Sequence, residues 1–177
     1  PASLNSVAQL KNSYAAEISD LDADGFPELI IGRRDFTNSL PNRIHWNDGQ
    51  GNFSDSRVTY LDDEIDVFNN LERVHAIDIQ GTDVNGDSLN DLLIHSYDSA
   101  QFNGVSIQLY MNQGGRKFVN ETQRRLGSKS LSNAPMRSVP FLSKIIDVNG
   151  DGIADLVSAL SGDQSDDSVV IFEGTGA

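Results

Sequence analysis

The chain has no cysteine. That absence removes disulfide frameworks, thiolate nucleophiles and zinc–thiolate sites together, and it leaves the redox compartment unread. Long apolar runs are missing as well. No segment approaches the ~20 consecutive apolar residues that a membrane-spanning helix needs, so direct membrane insertion is not expected. Basic residues are few: 13 Lys and Arg stand against 26 Asp and Glu in 177 residues, for a net charge of −13. A nucleic-acid partner would require a basic face, and DNA or RNA is therefore not expected. No charged-then-apolar leader follows Pro1, so any export signal is expected to have been removed or never to have belonged to the chain. Catalytic signatures are absent too, with neither a G-x-S-x-G elbow nor a His-Glu-x-x-His motif. His45, His75 and His95 each fall within or beside a predicted strand with no nucleophile and orienting acid to match. They are expected to be packed or surface residues.

What the chain does have is acid in three places. "DLDADGFPEL" starts at Asp20, "DVNGDSLNDL" at Asp83 and "DVNGDGIADL" at Asp147, at offsets of 63 and 64 residues. Ten of the 26 acids lie in these loops, and outside them acids exceed bases by only 3. Acidity so localised points to a cation rather than to general solubility. A second landmark keeps the same period: "IHWNDGQGNF" (44–53) and "LYMNQGGRKF" (109–118) each place an Asn, Asn47 or Asn112, six residues before a Phe. The third copy begins alike, as "IFEGTGA" (171–177). Self-similarity at a fixed period marks a repeat architecture in which no single unit buries its own apolar face.

Each unit reads as short strands separated by turns. "YAAEIS", "VHAIDI" and "FLSKII" precede the loops, and "ELIIGR", "DLLIHS" and "DLVSAL" follow them. "RIHWN", "VSIQLYM" and "SVVIF" carry the β-branched and aromatic enrichment of strands, while "FSDSRVTYL" and "FVNETQRRL" supply a fourth candidate in the first two units. Four strands in a 63-residue period is the content of a propeller blade. The expected fold is therefore all-β: about three four-stranded antiparallel β-propeller blades forming part of a larger propeller. One partial domain spans 1–177, with units at approximately 14–74, 75–138 and 139–177. In the connection 61–74, Leu61, Ile65, Phe68 and Leu71 have near-helical spacing, and a short helix or an acidic loop both fit. Trp46 and Tyr110 are expected to pack between blades, and Phe53 and Phe118 to anchor cores. The basic cluster within 116–129 is expected to be a solvated face. Asn52 and Asn120 fit the N-glycosylation acceptor pattern.

The loop chemistry follows from what calcium needs: six to eight hard oxygens at ~2.3–2.6 Å in a forgiving geometry. In a tightly curled loop, side chains at positions 1, 3 and 5 converge. A glycine at position 6 allows the turn, the position 7 carbonyl adds an oxygen, and an acid at position 9 closes the cage. The third loop fills this scheme with Asp147, Asn149, Asp151, Gly152, the Ile153 carbonyl and Asp155. The first offers Asp20, Asp22, Asp24, Gly25, the Phe26 carbonyl and Glu28. The second offers Asp83, Asn85, Asp87, the Leu89 carbonyl and Asp91, with Ser88 in place of the glycine. An EF-hand shares the first six positions but needs Glu at position 12 and flanking helices. Here position 12 is Ile31, Ile94 and Ser158, and the flanks are strand-like. Asx-type turns explain one such loop without a metal. Three at one period, each with an acid at position 9, favour calcium.

These residues resemble the FG-GAP/VCBS repeat, in which Asp-x-(Asp/Asn)-x-Asp-Gly-x-x-Asp-Leu follows a strand and an Asn-x-Gly-x-x-x-Phe turn comes later. The family builds calcium-binding β-propellers in integrin α-subunit heads, some fungal lectins and many secreted bacterial proteins. The resemblance implies calcium in the loop between the first two strands of each blade, up to three ions here, with the second site the least complete because of Ser88. It also implies rings of about seven blades. Three blades are then a portion of a longer protein, or half of a pair of chains, or an arc completed by "ASLNSVAQL" as an outer strand. The expected function is a secreted or cell-surface module that binds protein or carbohydrate, with self-association through open blade edges. The alternative is a propeller segment of a secreted hydrolase or lyase.

Overall fold

The computed structural model describes residues 13–33, 41–61, 74–98, 105–125, 131–132, 138–162 and 168–174. Most of the connection 61–74 lies outside them. The described chain is all-β, in three antiparallel sheets. The first sheet runs in chain order through β1 (Ser13–Ser19), β2 (Glu28–Arg33), β3 (Arg43–Asn47) and β4 (Phe53–Tyr60). The second runs through β5 (Val74–Thr82), β6 (Asp91–Asp98), β7 (Val105–Asn112) and β8 (Phe118–Asn120), with β9 (Leu131–Ser132) also pairing β7. The third comprises β10 (Ser138–Ile146), β11 (Asp155–Gly162) and β12 (Ser168–Phe172). The fourth strand expected over "FVNETQRRL" is shorter than its sequence suggests. After Asn120 the chain turns into α1 (Thr122–Arg125), because the Asn120 Oδ1 accepts both the Thr122 N–H at 3.0 Å and its hydroxyl at 2.6 Å, which caps the turn.

The three acidic loops are closed by the same strand pairing. Ser19 pairs Glu28, Thr82 pairs Asp91 and Ile146 pairs Asp155, so each loop leaves and re-enters its sheet at one register. The leading strand of every sheet also carries an irregularity at the same place, between Ser13 and Ala16, Ala76 and Asp78, and Pro140 and Leu142.

Register and burial together show how the sheets stack. One face of the first sheet carries Leu21, Ile30, Ile44 and Trp46, and it joins Ile79, Leu92, Ile94 and Tyr110 of the second sheet in one buried cluster. The opposite face of the second sheet carries Leu93, Ile107, Leu109 and Met111, which meet Ile145 and Leu156 of the third. A fully buried side chain of this size contributes about 1.5–3 kcal/mol, and a single sheet could gain it on one face at most. Backbones come close where side chains are small: a Cβ on Gly32 would lie 2.7 Å from that of Ala76. The polar links follow the same order. Asn90 donates to the Ser19 hydroxyl and the Asp20 carbonyl, both at 3.0 Å, and Gln80 Nε2 donates to the Ser143 carbonyl at 2.5 Å. The first and second loops therefore sit at adjoining corners of their sheets.

Candidate metal centre

The first and third members of the repeated sequence pattern have different fates in space, and the second follows the third. In the second loop the Asp83 carboxylate accepts the backbone N–H groups of Gly86 (2.7 Å), Asp87 (3.2 Å) and Ser88 (2.8 Å). In the third, Asp147 accepts those of Gly150 (2.7 Å), Asp151 (3.2 Å) and Gly152 (2.8 Å). Asn85 and Asn149 each donate to the acid two residues on, at 3.0 Å, and Asp87 and Asp151 accept from Leu89 and Ile153. Both loops are thus closed Asx-type turns whose first acid is engaged on both oxygens.

The first loop leaves its acids freer. Asp20 Oδ2 accepts one N–H, from Gly25 at 3.0 Å, and Asp24 accepts that of Phe26 at 2.8 Å. Oxygens of Asp20, Asp22 and Glu28 converge within 4.8 Å of one another, the one such carboxylate group among the described residues. Each of the three also presents a water-inaccessible oxygen with no hydrogen-bond donor: Asp20 Oδ1, Asp22 Oδ1 and Glu28 Oε1. Buried anionic oxygens without donors are strongly unfavourable unless a cation meets them. Their hardness suits Ca²⁺, Mg²⁺ or another oxygen-seeking ion. Asp24 and Phe26 are exposed at the rim of this loop, as are Asp87 and Asp151 in theirs.

The acid at position 9 is the deepest member of every loop: Glu28 and Asp91 are fully buried and Asp155 nearly so. Its second task is structural. Glu28, Asp91 and Asp155 accept the N–H of the residue after the first acid, from Leu21, Val84 and Val148, each at 2.9 Å. Asp91 also accepts from Asn112 at 2.7 Å, and Asp155 from Gly174 at 2.8 Å. This acid therefore ties the loop to the end of the third strand. The environments diverge even so. Burial lifts the Asp91 carboxyl to about 6 despite the N–H groups of Asn112 and Val84, and Asp87 and Asp83 push in the same direction. Burial likewise raises Glu28, against its bond from Leu21 and with Asp22 adding to it. Asp155, with no further sheet described over its side of the third unit, is held below the usual range by the Gly174 and Val148 N–H groups.

Three features of the site escaped the sequence reading. The loops need a left-handed backbone at position 4 as well as position 6: Ala23, Gly86 and Gly150 have φ of 58°, 79° and 79°, and Gly25, Ser88 and Gly152 have 86°, 69° and 83°. The glycines at 86 and 150 were the available signal. Asn47 and Asn112, seen only as a period marker, brace the loops: Asn47 Nδ2 donates to the Pro27 carbonyl at 3.0 Å, and Asn112 Nδ2 to the Asn90 and Leu21 carbonyls at 3.0 and 2.7 Å. The third is Arg116, expected on a solvated face. Its Nε and Nη2 donate to Asp22 Oδ2 at 3.0 and 2.9 Å, and its guanidinium lies 4.6 Å from the centre of the Trp46 ring. Arg116, in the turn between β7 and β8, reaches back to the first loop, which alone has an acid at position 3. Four carboxylates less one guanidinium leave −3, the charge of the three carboxylates in each later loop.

The remaining sequence candidates fall into place around this frame. His45, His75 and His95 are buried, and burial lowers the His95 imidazole to about 4. Trp46 and Tyr110 lie in the cluster between the first two sheets, Phe53 is buried and Phe118 packs against that cluster. Asn52 is exposed and bonded to Asp48, whereas the Asn120 side-chain nitrogen is enclosed. Arg124 and Arg125 pair with Glu121 on α1, and the last part of the 116–129 cluster lies outside the described residues. Comparison with family models, curated proteins and solved structures finds no match to the chain.

Proposed function

We propose that the chain is a calcium-binding module of FG-GAP/VCBS type, its sheets arranged radially as β-propeller blades, which serves outside the cell to bind a protein or carbohydrate. The observation that carries the metal reading is the set of donorless buried oxygens on Asp20, Asp22 and Glu28. The stacked sheets with equivalent bulges and registers support the radial arrangement. Asp20, Asp22, Asp24, Glu28 and the Phe26 carbonyl would hold the first ion. Asp83, Asn85, Asp87, Asp91 and the Leu89 carbonyl would hold the second, and Asp147, Asn149, Asp151, Asp155 and the Ile153 carbonyl the third. The ion supplies positive charge where clustered carboxylates otherwise repel and resist burial. The position 9 acid passes that effect to the end of the third strand of its unit, so a filled loop stiffens the rim where connecting loops are presented. Sites of this kind outside cells commonly bind at roughly 10⁻⁴–10⁻³ M, which suits a calcium-rich exterior.

Differential scanning calorimetry with and without calcium tests the proposal. The calcium form melts higher, by an amount that grows with calcium concentration as linkage requires, and Asp151→Ala removes the contribution of the third loop. A melting temperature indifferent to calcium refutes the metal reading.

A further inference from the structure

Three carboxylates of the first loop each have one oxygen engaged and one free. Asp20 Oδ2 accepts the Gly25 N–H, Asp22 Oδ2 accepts from Arg116, and Glu28 Oε2 accepts the Leu21 N–H. The partner oxygens, Asp20 Oδ1, Asp22 Oδ1 and Glu28 Oε1, are the donorless set. The bonds that fix this arrangement are not confined to the loop. Asp20, Leu21 and Asp22, consecutive in the chain, are each held from the second sheet. Asn90 Nδ2 donates to the Asp20 carbonyl at 3.0 Å, Asn112 Nδ2 to the Leu21 carbonyl at 2.7 Å, and Arg116 Nη2 to Asp22 at 2.9 Å. Leu21 in turn fixes Glu28, so Asn112 is linked through it to the deepest carboxylate of the loop. Asn112 is itself anchored, since its backbone N–H donates to Asp91 at 2.7 Å and its side chain to the Asn90 carbonyl at 3.0 Å.

The second loop has no matching brace at these positions. Asp91 and Asp155 accept the backbone N–H groups of Asn112 and Gly174, which makes those two residues equivalent, and Asn90 and Ala154 directly precede the two acids. Neither Ala154 nor Gly174 carries a side-chain donor. The second loop instead holds itself, through the three N–H groups that converge on Asp83. The loop braced from outside is the one whose oxygens stay free.

We propose that the first cation site is composite: the first loop supplies the oxygens, and the second sheet positions them through Asn90 and Asn112. Binding of the ion and packing of the second sheet on the first then reinforce each other, because coupling between two equilibria is reciprocal. Arg116 makes a third link, but its charge competes with the ion for Asp22. This inference rests on the metal reading given above and assigns that site its positioning residues.

Hydrogen exchange read by mass spectrometry across a calcium titration of the whole chain tests it, because peptides from each loop report their own midpoint. In the wild type, the turn at residues 113–117 slows with the midpoint of the first loop, although it supplies that ion no oxygen, and Asp20→Ala abolishes the slowing. Asn90→Ala, which gives the second unit the residue of the third, raises the first-loop midpoint at least about threefold and leaves the third-loop midpoint unchanged. Asn112→Ala acts in the same direction, so a folding failure of either variant leaves the other as the test. Lower protection without calcium and an unmoved midpoint would make the two asparagines merely structural and overturn the positioning role. A turn that ignores calcium, or still responds to it in Asp20→Ala, overturns the coupling and leaves the metal reading standing. No response in any loop overturns the metal reading and this inference with it.

Discussion

The first loop and the two later ones share a spacing and differ in what their acids are free to do. Asp83 and Asp147 each accept three backbone N–H groups, so these loops hold their shape through internal hydrogen bonds. Asp20 accepts one, and its other oxygen is enclosed without a donor, as is one oxygen each of Asp22 and Glu28. Spacing therefore sets the turn, while the number of carboxylates and the donors already spent on them set the pull on a cation. An ion in the first loop meets oxygens that nothing else serves. In the later loops it shares oxygens that already hold N–H groups, and sharing weakens each bond. The first site is expected to be the tightest and the second the weakest, since Ser88 adds backbone strain there.

The largest expected effect separates Asp91 from Asp155 by pH. The folded pKa of Asp91, about 6, lies above its ordinary 3.8. Its carboxyl therefore favours the fold below pH 4 and opposes it progressively as pH rises from 4 to 6, by roughly 3 kcal/mol at the end of that range. Calcium replaces the proton as the neutralising charge, so the calcium-dependent gain in melting temperature widens over the same range. Asp155, held low, supports the fold above pH 4 and loses that support only as pH falls below it. His95, about 4 when folded against 6.5, opposes the fold as pH falls from 6.5 to 4. The difference between wild type and Asp91→Asn, measured by denaturant titration at each pH, isolates the Asp91 contribution. Asp155→Asn leaves the pH 4–6 limb alone.

A second comparison uses Asp20→Ala and Asp83→Ala without calcium. Losing the acceptor of three N–H groups costs about 2–3 kcal/mol at Asp83. At Asp20 the loss of one bond is offset by removal of the donorless oxygen beside Asp22 and Glu28, so the cost there stays below about 1 kcal/mol. With calcium the order in lost metal-dependent stabilisation reverses, because Asp20 belongs to the tighter site. Equal effects in both conditions would erase the distinction between the loops.

Arg116→Met sharpens it from the other side. Without the guanidinium, Asp22 keeps its full charge for the ion, and calorimetric titration should find the first site several-fold tighter. The metal-free chain should lose about 1 kcal/mol, since the pair with Asp22 is partly solvated and the stacking on Trp46 is modest. The smallest effects come from Ala23→Gly and Ser88→Gly, which relieve left-handed strain at positions where the third loop has glycine. Each should raise stability by about 0.5–1 kcal/mol in thermal melts, and neither should alter the loop's ligand set.

Much of the strand layout was legible in the sequence: β-branched and aromatic runs marked strands, and acids at fixed offsets marked the loops between them. Burial of Trp46, Tyr110 and Phe53 followed from the same pattern. Less legible was anything made across units. Arg116 lies 94 residues from Asp22, and no local signal in "GGRKF" announces a partner so far away. The shortened β8 escaped because a side-chain cap at Asn120 overrode the strand propensity of its neighbours. The first loop differs from the others at Ala23 and in the extra methylene of Glu28, while Ser88 donates to Asp83 just as Gly152 does to Asp147.

The central claim, that cations sit in these loops and the first is the best formed, is tested most directly by anomalous diffraction from crystals grown with calcium. The account predicts an anomalous peak bounded by Asp20, Asp22 and Glu28, at full or near-full occupancy, with equal or weaker peaks beside Asp147 and Asp83. Water or featureless density between Asp20, Asp22 and Glu28 at saturating calcium would contradict it.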